Sequence, residues 1–153
     1  MARGELRSAA RLAAVQALYQ MDIAAKGIGD VIAEFEAYWL GREIDGMDMK
    51  PAEGAFFRSL VEGVVSKQRD IDPKIDEALS EGWPLRRIEA VLRAVLRAGC
   101  FELLARPDVP AKVVIREYGD IAAAFYDGDE IGMVSAVLDG LAHKLRSGEL
   151  APP

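Results

Sequence analysis

Leu85, Ile88, Leu92, Val95, Leu96, Gly99 and Leu103 recur every three or four residues, and Pro107 and Pro110 close the run. That spacing puts them on one face of a helix, whereas a half-buried strand needs period two. No segment keeps a period-two alternation. Val113-Val114-Ile115 is β-branched but lies inside a longer helical pattern. The expected fold class is all-α.

The same period marks out the rest of the chain. A first helix is expected over 5–25, with Ala10, Ala14, Ala17 and Met21 as a small-residue stripe, and Gly27 and Gly29 after it. A second is expected over 30–40, capped by Asp30, with Val31, Phe35, Tyr38 and Trp39 on its apolar face. Residues 41–51 read as a loop. A third helix follows from Ala52, carrying Phe56, Phe57, Leu60, Val64 and Val65, and Asp72-Pro73 signals the start of a short fourth over 70–79. The fifth covers 85–105. Pro110 opens a sixth that runs to Phe125, since proline is tolerated in a first turn. After the turn at 126–129, Val134, Val137, Leu138, Leu141 and Leu145 define the last. This gives about seven helices in one domain, 1–147, with 148–153 as a flexible tail. A length of 153 residues suits one core.

The residue inventory limits the chemistry. One cysteine, Cys100, excludes an intrachain disulfide, and Cys100 with the single His143 falls short of the ligand set of a structural zinc site. Cys100 sits in the apolar period of the fifth helix, as inert core cysteines do, and His143 lies among Lys144 and Arg146 at a helix end. There is no phosphate-binding glycine loop, no HExxH, and no calcium loop around Asp127-Gly128-Asp129. Catalysis, metal and cofactor are therefore not expected. No apolar run is long enough to span a bilayer and the N-terminus lacks a signal-peptide layout, so the expected setting is cytoplasmic.

Net charge is −6, which disfavours indiscriminate coating of nucleic acid. The charge is polarised, however. Residues 27–63 carry eight acids against three bases, and 117–130 carry five acids and no base. Arg3, Arg7 and Arg11 are spaced by four, with only Glu5 opposing them, so a short basic ridge is expected along the first helix. Arg86, Arg93 and Arg97, with Arg87, form a second stripe, part of which Glu89 can pair internally. On charge alone, a solvated helix face explains both stripes as well as an RNA site does.

Longer blocks are more specific. Ala10-Arg11 followed by Ala14-Val15-Gln16-Ala17-Leu18-Tyr19 closely resembles the first-helix signature of the NusB family of transcription antitermination factors. Phe57-Arg58 with Leu60-Val61 and Gly63-Val64, Val91-Leu92-Arg93 with Glu102-Leu103, Asp108-Val109-Pro110 with Lys112-Val113-Val114-Ile115 and Glu117, and Val134 with Val137-Leu138-Asp139 resemble further blocks in the same order. The resemblance spans roughly residues 7–142. It implies two small packed helical bundles without catalysis. It also implies binding to the boxA element of ribosomal RNA transcripts, together with NusE, a small-subunit ribosomal protein, in an antitermination complex on RNA polymerase.

By matching position, the resemblance puts Arg3, Arg7, Arg11, Lys112 and Asp129 at the RNA. It puts Glu89, Glu117, Phe125 and Met133 on the partner side. Ser8 and Ala9 stand where the family has a denser basic cluster, and Met133-Val134-Ser135-Ala136 departs from the usual Phe-Val-Asn-Gly. A protein–protein adaptor without RNA specificity stays open as the alternative. So does a homodimer, since Phe56-Phe57 and Tyr38-Trp39 suit a core or an interface equally.

Overall fold

The computed structural model describes residues 2–39, 43–44, 47–48, 51–79 and 84–149. Six α-helices carry the fold: α1 (Ala2–Ala24), α2 (Ile28–Trp39), α3 (Pro51–Ala78), α4 (Ala90–Ala105), α5 (Ala111–Phe125) and α6 (Asp129–Leu145). Helix α4 packs against α1 and α3 on one side and α5 and α6 on the other, so it is shared between two helical groups. Accordingly its Val95, Leu96, Ala98, Cys100 and Glu102 have no exposure at all.

Two glycines set how closely α4 is approached. A Cβ on Gly63 of α3 would lie 2.1 Å from the Phe101 ring, and one on Gly99 of α4 would lie 2.9 Å from Leu138 of α6. Neither gap admits a methyl group. The stripe of Ala10, Ala14 and Ala17 is fully buried, which lets α1 sit close to α3 and α4.

Three boundaries differ from the sequence expectation. The third and fourth helices are one: α3 runs through Pro73 without interruption. Proline in a helix interior costs about 3 kcal/mol. Here Ile71 and Ile75 on either side are fully buried, and each such side chain stabilises by roughly 1.5–3 kcal/mol. Asp72 also accepts both Nε and Nη2 of Arg97, at 2.9 and 3.0 Å. Packing outweighs the local stop signal.

The expected helix over 85–105 is broken instead. Leu85–Arg87 form a single 3-10 turn, Ile88 is extended, and α4 starts at Ala90. The period misleads because a 3-10 turn also brings residues i and i+3 together, so Leu85 and Ile88 are both buried without a continuous helix. The carbonyls released by the break are covered by Arg93, whose Nη1 donates to Arg86 O at 3.3 Å and to Ile88 O at 2.5 Å.

The third difference is at the C-terminus. Glu149, expected in a flexible tail, accepts the Ala111 N–H at 2.6 Å and an Arg146 N–H at 2.8 Å. The rest of that tail, 150–153, lies outside the described residues. Within the expected loop, Glu43–Ile44 and Met47–Asp48 form a two-residue antiparallel ladder, Glu43 opposite Asp48 and Ile44 opposite Met47. Phe56 and Phe57 belong to the core, Phe57 stacking on Phe35 at 5.5 Å, while Tyr38 is 59 % exposed. The side chain of Trp39 lies outside the described residues.

Candidate nucleic-acid interface

The basic ridge on α1 divides. The side chain of Arg3 lies outside the described residues. Arg7 stacks over the Phe56 ring with its guanidinium carbon 4.5 Å from the centroid, and among the described residues it has no ion pair. Arg11, expected beside it at the RNA, is buried, with only 3 % exposure. Its Nε and Nη2 donate to Glu102 at 2.7 and 3.1 Å, and its Nη1 to Glu117 at 2.9 Å. Every guanidinium nitrogen is thus used within the fold. The four-residue spacing was sound, but each step drifts around the helix, and the drift carries Arg11 under α4 and α5.

Tyr118 completes this cluster by donating its hydroxyl to Glu102 Oε2, and Ser8 donates to Glu117 Oε1. Burial would lower the Arg11 pKa, but the hydrogen bond and charge of Glu102 outweigh it, and the net shift is upward. Burial, then the charge of Glu102, pushes the Tyr118 phenol well above its ordinary range. Glu117, expected to face a partner, instead closes the cluster with a side chain only 14 % exposed.

The second stripe is also largely internal. Arg93 pairs with Asp22 at 2.9 Å, and Arg97 with Asp72 at 2.9 Å and Asp22 at 3.6 Å. These acids lie on α1 and α3; Glu89, at the start of α4, is exposed. Arg86 and Arg87 are exposed on the 3-10 turn.

A cationic side chain missed by the sequence reading joins Arg7. Arg106, just after α4, lies 5.0 Å over the same Phe56 ring and pairs with Asp108. Its hydrogen bond is the main cause that holds the Asp108 carboxyl down at about 2, and the charge of Arg7 contributes. Exposed Lys112 and Arg116 follow in the first turns of α5. The available signal was the pair Arg106-Pro107-Asp108, an arginine and an acid flanking a proline at a helix end.

At the other end of the same two helices lies an apolar groove of about 480 Å³, lined by Val15, Tyr19, Phe35, Val91 and Phe125, with Gln16 and Gln20 at its edge. Phe125 is 44 % exposed, and the buried Gln20 Oε1 has no hydrogen-bond partner. The contacts of Ser8 and Arg11 with Glu117, and of Gln16 and Tyr19 with the Phe125 groove, show that α1 and α5 run side by side in the same direction. Lys112 and Phe125 are therefore separated by about 20 Å along α5. Asp129, expected with the RNA residues, starts α6 beside the groove end, after Gly128 at φ +63°. Glu89 sits two residues before groove-lining Val91. Met133 is half-buried against the core. In the departing motif, Ala136 is exposed, and Ser135 Oγ lies 3.4 Å from where a Gly119 Cβ would be.

Cys100 is buried and its thiol is pushed up to about 12, chiefly by burial, so no thiolate forms near neutral pH. Exposed His143 places Nδ1 2.8 Å from Asp139 O. Among the described residues no group of acids, histidine and cysteine is arranged to hold a metal, and no helix is long and apolar enough to cross a membrane.

The NusB family model matches residues 8–143. A transcription antitermination protein NusB from Bradyrhizobium sp. (strain ORS 278) is 64% identical over 146 residues, covering 95% of this chain and 87% of that protein. Among solved structures, T. maritima NusB superposes with a TM-score of 0.77 at 27% identity, covering 90% of this chain and 91% of the other. A NusB chain from a complex of antitermination factors NusB and NusE with double-stranded RNA shares the fold, with a TM-score of 0.74 at 23% identity over 92% of this chain and 98% of that one. The chain belongs to the NusB family.

Proposed function

We propose that this protein is a non-catalytic transcription antitermination factor that binds boxA RNA together with NusE, as part of an antitermination complex on RNA polymerase. The observation that carries the reading is the pairing of two unlike surfaces along one helix pair. Arg7, which has no ion pair among the described residues, marks one end of the α1/α5 seam with Arg106 and Lys112, and the groove of Tyr19, Phe35 and Phe125 marks the other. Single-stranded RNA needs phosphate anchoring and contacts to splayed bases. A protein partner needs a desolvated apolar anchor point with a few unmet polar groups. Phe125, 44 % exposed at the groove, supplies the anchor point.

Arg7 and Lys112 are the RNA anchors in this reading, with Arg3 extending them. Glu89, Phe125, Asp129 and Met133 belong to the partner side in this reading, whereas Glu117 is taken up in the Arg11 cluster. Arg11 acts as scaffold. With Arg11 withdrawn into the fold and Arg93 and Arg97 paired with Asp22 and Asp72, the two expected basic stripes are reduced, among the described side chains, to Arg7 and to Arg86 and Arg87, and in this reading the partner extends the RNA surface. The burial of Arg11, expected at the RNA, favours as a second reading an adaptor without RNA specificity of its own.

A titration of boxA RNA and of a scrambled RNA, each with and without purified NusE at moderate salt, separates the two. Tight binding of boxA only with NusE present is the expected result. Equal binding of both RNAs would leave the adaptor reading.

A further inference from the structure

Arg106 is held unusually well for a surface arginine. Its Nε and Nη2 donate to the two carboxylate oxygens of Asp108, both at 3.0 Å, and its Nη1 donates to Ser59 Oγ at 3.2 Å. All three nitrogens are therefore engaged along the edge of the guanidinium plane, while 24 % of the side chain remains exposed. Three of its five N–H groups are taken and its charge is offset by Asp108, so it is a weaker chelator of phosphate than a free arginine. Its planar faces are another matter. A delocalised guanidinium stacks on aromatic rings, and the Arg106 guanidinium carbon lies 5.0 Å over the Phe56 centroid; nucleobases offer the same kind of surface.

The loop that carries Arg106 is tied down from beneath. Arg146, after α6, donates to four backbone carbonyls: Glu102 O at 2.9 Å, Leu103 O at 2.8 Å, Arg106 O at 2.7 Å and Val109 O at 2.8 Å. Three of these lie at the C-terminus of α4, where a cation complements the helix dipole. Glu149 links Arg146 to the Ala111 N–H at the start of α5, where an anion does the same. Both ends of loop 106–110 are thus fixed by one side-chain pair. A group fixed before binding loses less conformational entropy when a ligand arrives.

We propose that Arg106 is a stacking platform for a base of single-stranded RNA, with Arg146 and Glu149 as the positioning residues that hold its loop. The inference rests on the RNA-binding reading above. It divides the labour between neighbours on one ring: Arg7, with no ion pair among the described residues, meets phosphate, and Arg106 meets a base.

The test measures boxA affinity with NusE present, as a function of salt, for Arg7→Ala, Arg106→Ala, Arg106→Lys, Glu149→Ala and Arg106→Ala/Glu149→Ala. NusE affinity is measured alongside, and circular dichroism checks the fold. A stacking contact is worth roughly fivefold or more in affinity, and lysine keeps the charge but not the plane. Arg106→Ala and Arg106→Lys are therefore expected to weaken binding alike and leave the salt slope unchanged. Arg7→Ala is expected to flatten the slope by about 0.7. An RNA with one abasic position is expected to reproduce the Arg106→Ala loss and to show no further loss with that variant.

Wild-type affinity for Arg106→Lys, or a flattened slope for Arg106→Ala, overturns the stacking role. Glu149→Ala is expected to lose about threefold and to add nothing to Arg106→Ala. Unchanged affinity, or additive losses, overturns the clamp. If boxA and scrambled RNA bind equally and Arg7→Ala changes nothing, the RNA-binding reading itself fails, and this outcome is distinct from the others.

Discussion

Arg11 and Arg106 are near neighbours with the same local chemistry and opposite roles. Each guanidinium carbon lies 5.0 Å over the Phe56 ring, and each guanidinium grips one carboxylate with two nitrogens. What separates them is water. Arg11 and Glu102 are 3 % and 0 % exposed, whereas Arg106 and Asp108 are 24 % and 54 % exposed. Inside the fold the pair cannot open without stranding a charge, so it behaves as framework. At the surface either partner can be rehydrated, so losing the pair costs the fold little, and the guanidinium, though fixed in place, stays within reach of a ligand.

The largest effect is expected where that contrast is broken from the inside. Arg11→Ala leaves Glu102 buried without its cation, and removal of one member of a buried pair costs about 3–5 kcal/mol. Urea unfolding should show this as a lower midpoint at unchanged slope. The triple change Arg11→Met, Glu102→Leu and Tyr118→Phe removes both charges and the phenol that would otherwise lose its acceptor. It should recover most of the loss, because a buried ion pair is often no better than well-packed apolar groups of similar volume. A triple variant as unstable as Arg11→Ala would mean that the cluster contributes through charge and not through mutual satisfaction.

Tyr118→Phe tests the same cluster more gently. It removes one donor from Glu102 and leaves both Arg11 bonds, and loss of a hydrogen bond to a charged group costs about 1.5–3 kcal/mol. Tyr118 is fully buried, so water cannot replace the hydroxyl. Arg106→Ala, by contrast, should change unfolding free energy by no more than about 1 kcal/mol, as expected for an exposed pair. A larger cost would place Arg106 in the framework with Arg11.

The contrast also explains what the sequence could convey. Helical period located the helices, because burial of one face is what makes them, and Leu92, Val95, Leu96 and Leu103 are all core residues. It could not reveal that α3 continues through Pro73, since the compensating partners Arg97, Ile71 and Ile75 act through tertiary packing. The N-terminal arginines were legible as a group but not individually. Whether Arg7 or Arg11 faces water depends on where Glu102 and Glu117 arrive from, roughly 90 to 110 residues away in the chain. Arg106 and Glu149 were overlooked for the same reason. Their partners Ser59, Phe56 and Ala111 are distant in sequence, and a loop arginine or a tail glutamate carries no periodic signal.

The smallest effect belongs to Asp108 and concerns acid. Its folded carboxyl titrates near 2, below the ordinary aspartate value of 3.8, mainly because Arg106 bonds the ionised form. A depressed folded pKa stabilises the fold above the unfolded value, near pH 4, and the contribution is lost as pH falls through about 2. Because Asp108 is 54 % exposed, solvent screens the pair and the contribution is well under about 1 kcal/mol. The titration itself is the better readout. Carboxyl chemical shifts followed from pH 6 to 1.5 should place Asp108 near 2 in the wild type and near its ordinary value in Arg106→Ala, whereas Arg7→Ala should move it much less. Raising salt should shift the wild-type value upward, since screening acts on exposed pairs. A value for Asp108 that does not move with salt would erase the distinction between the framework arginine and the surface one.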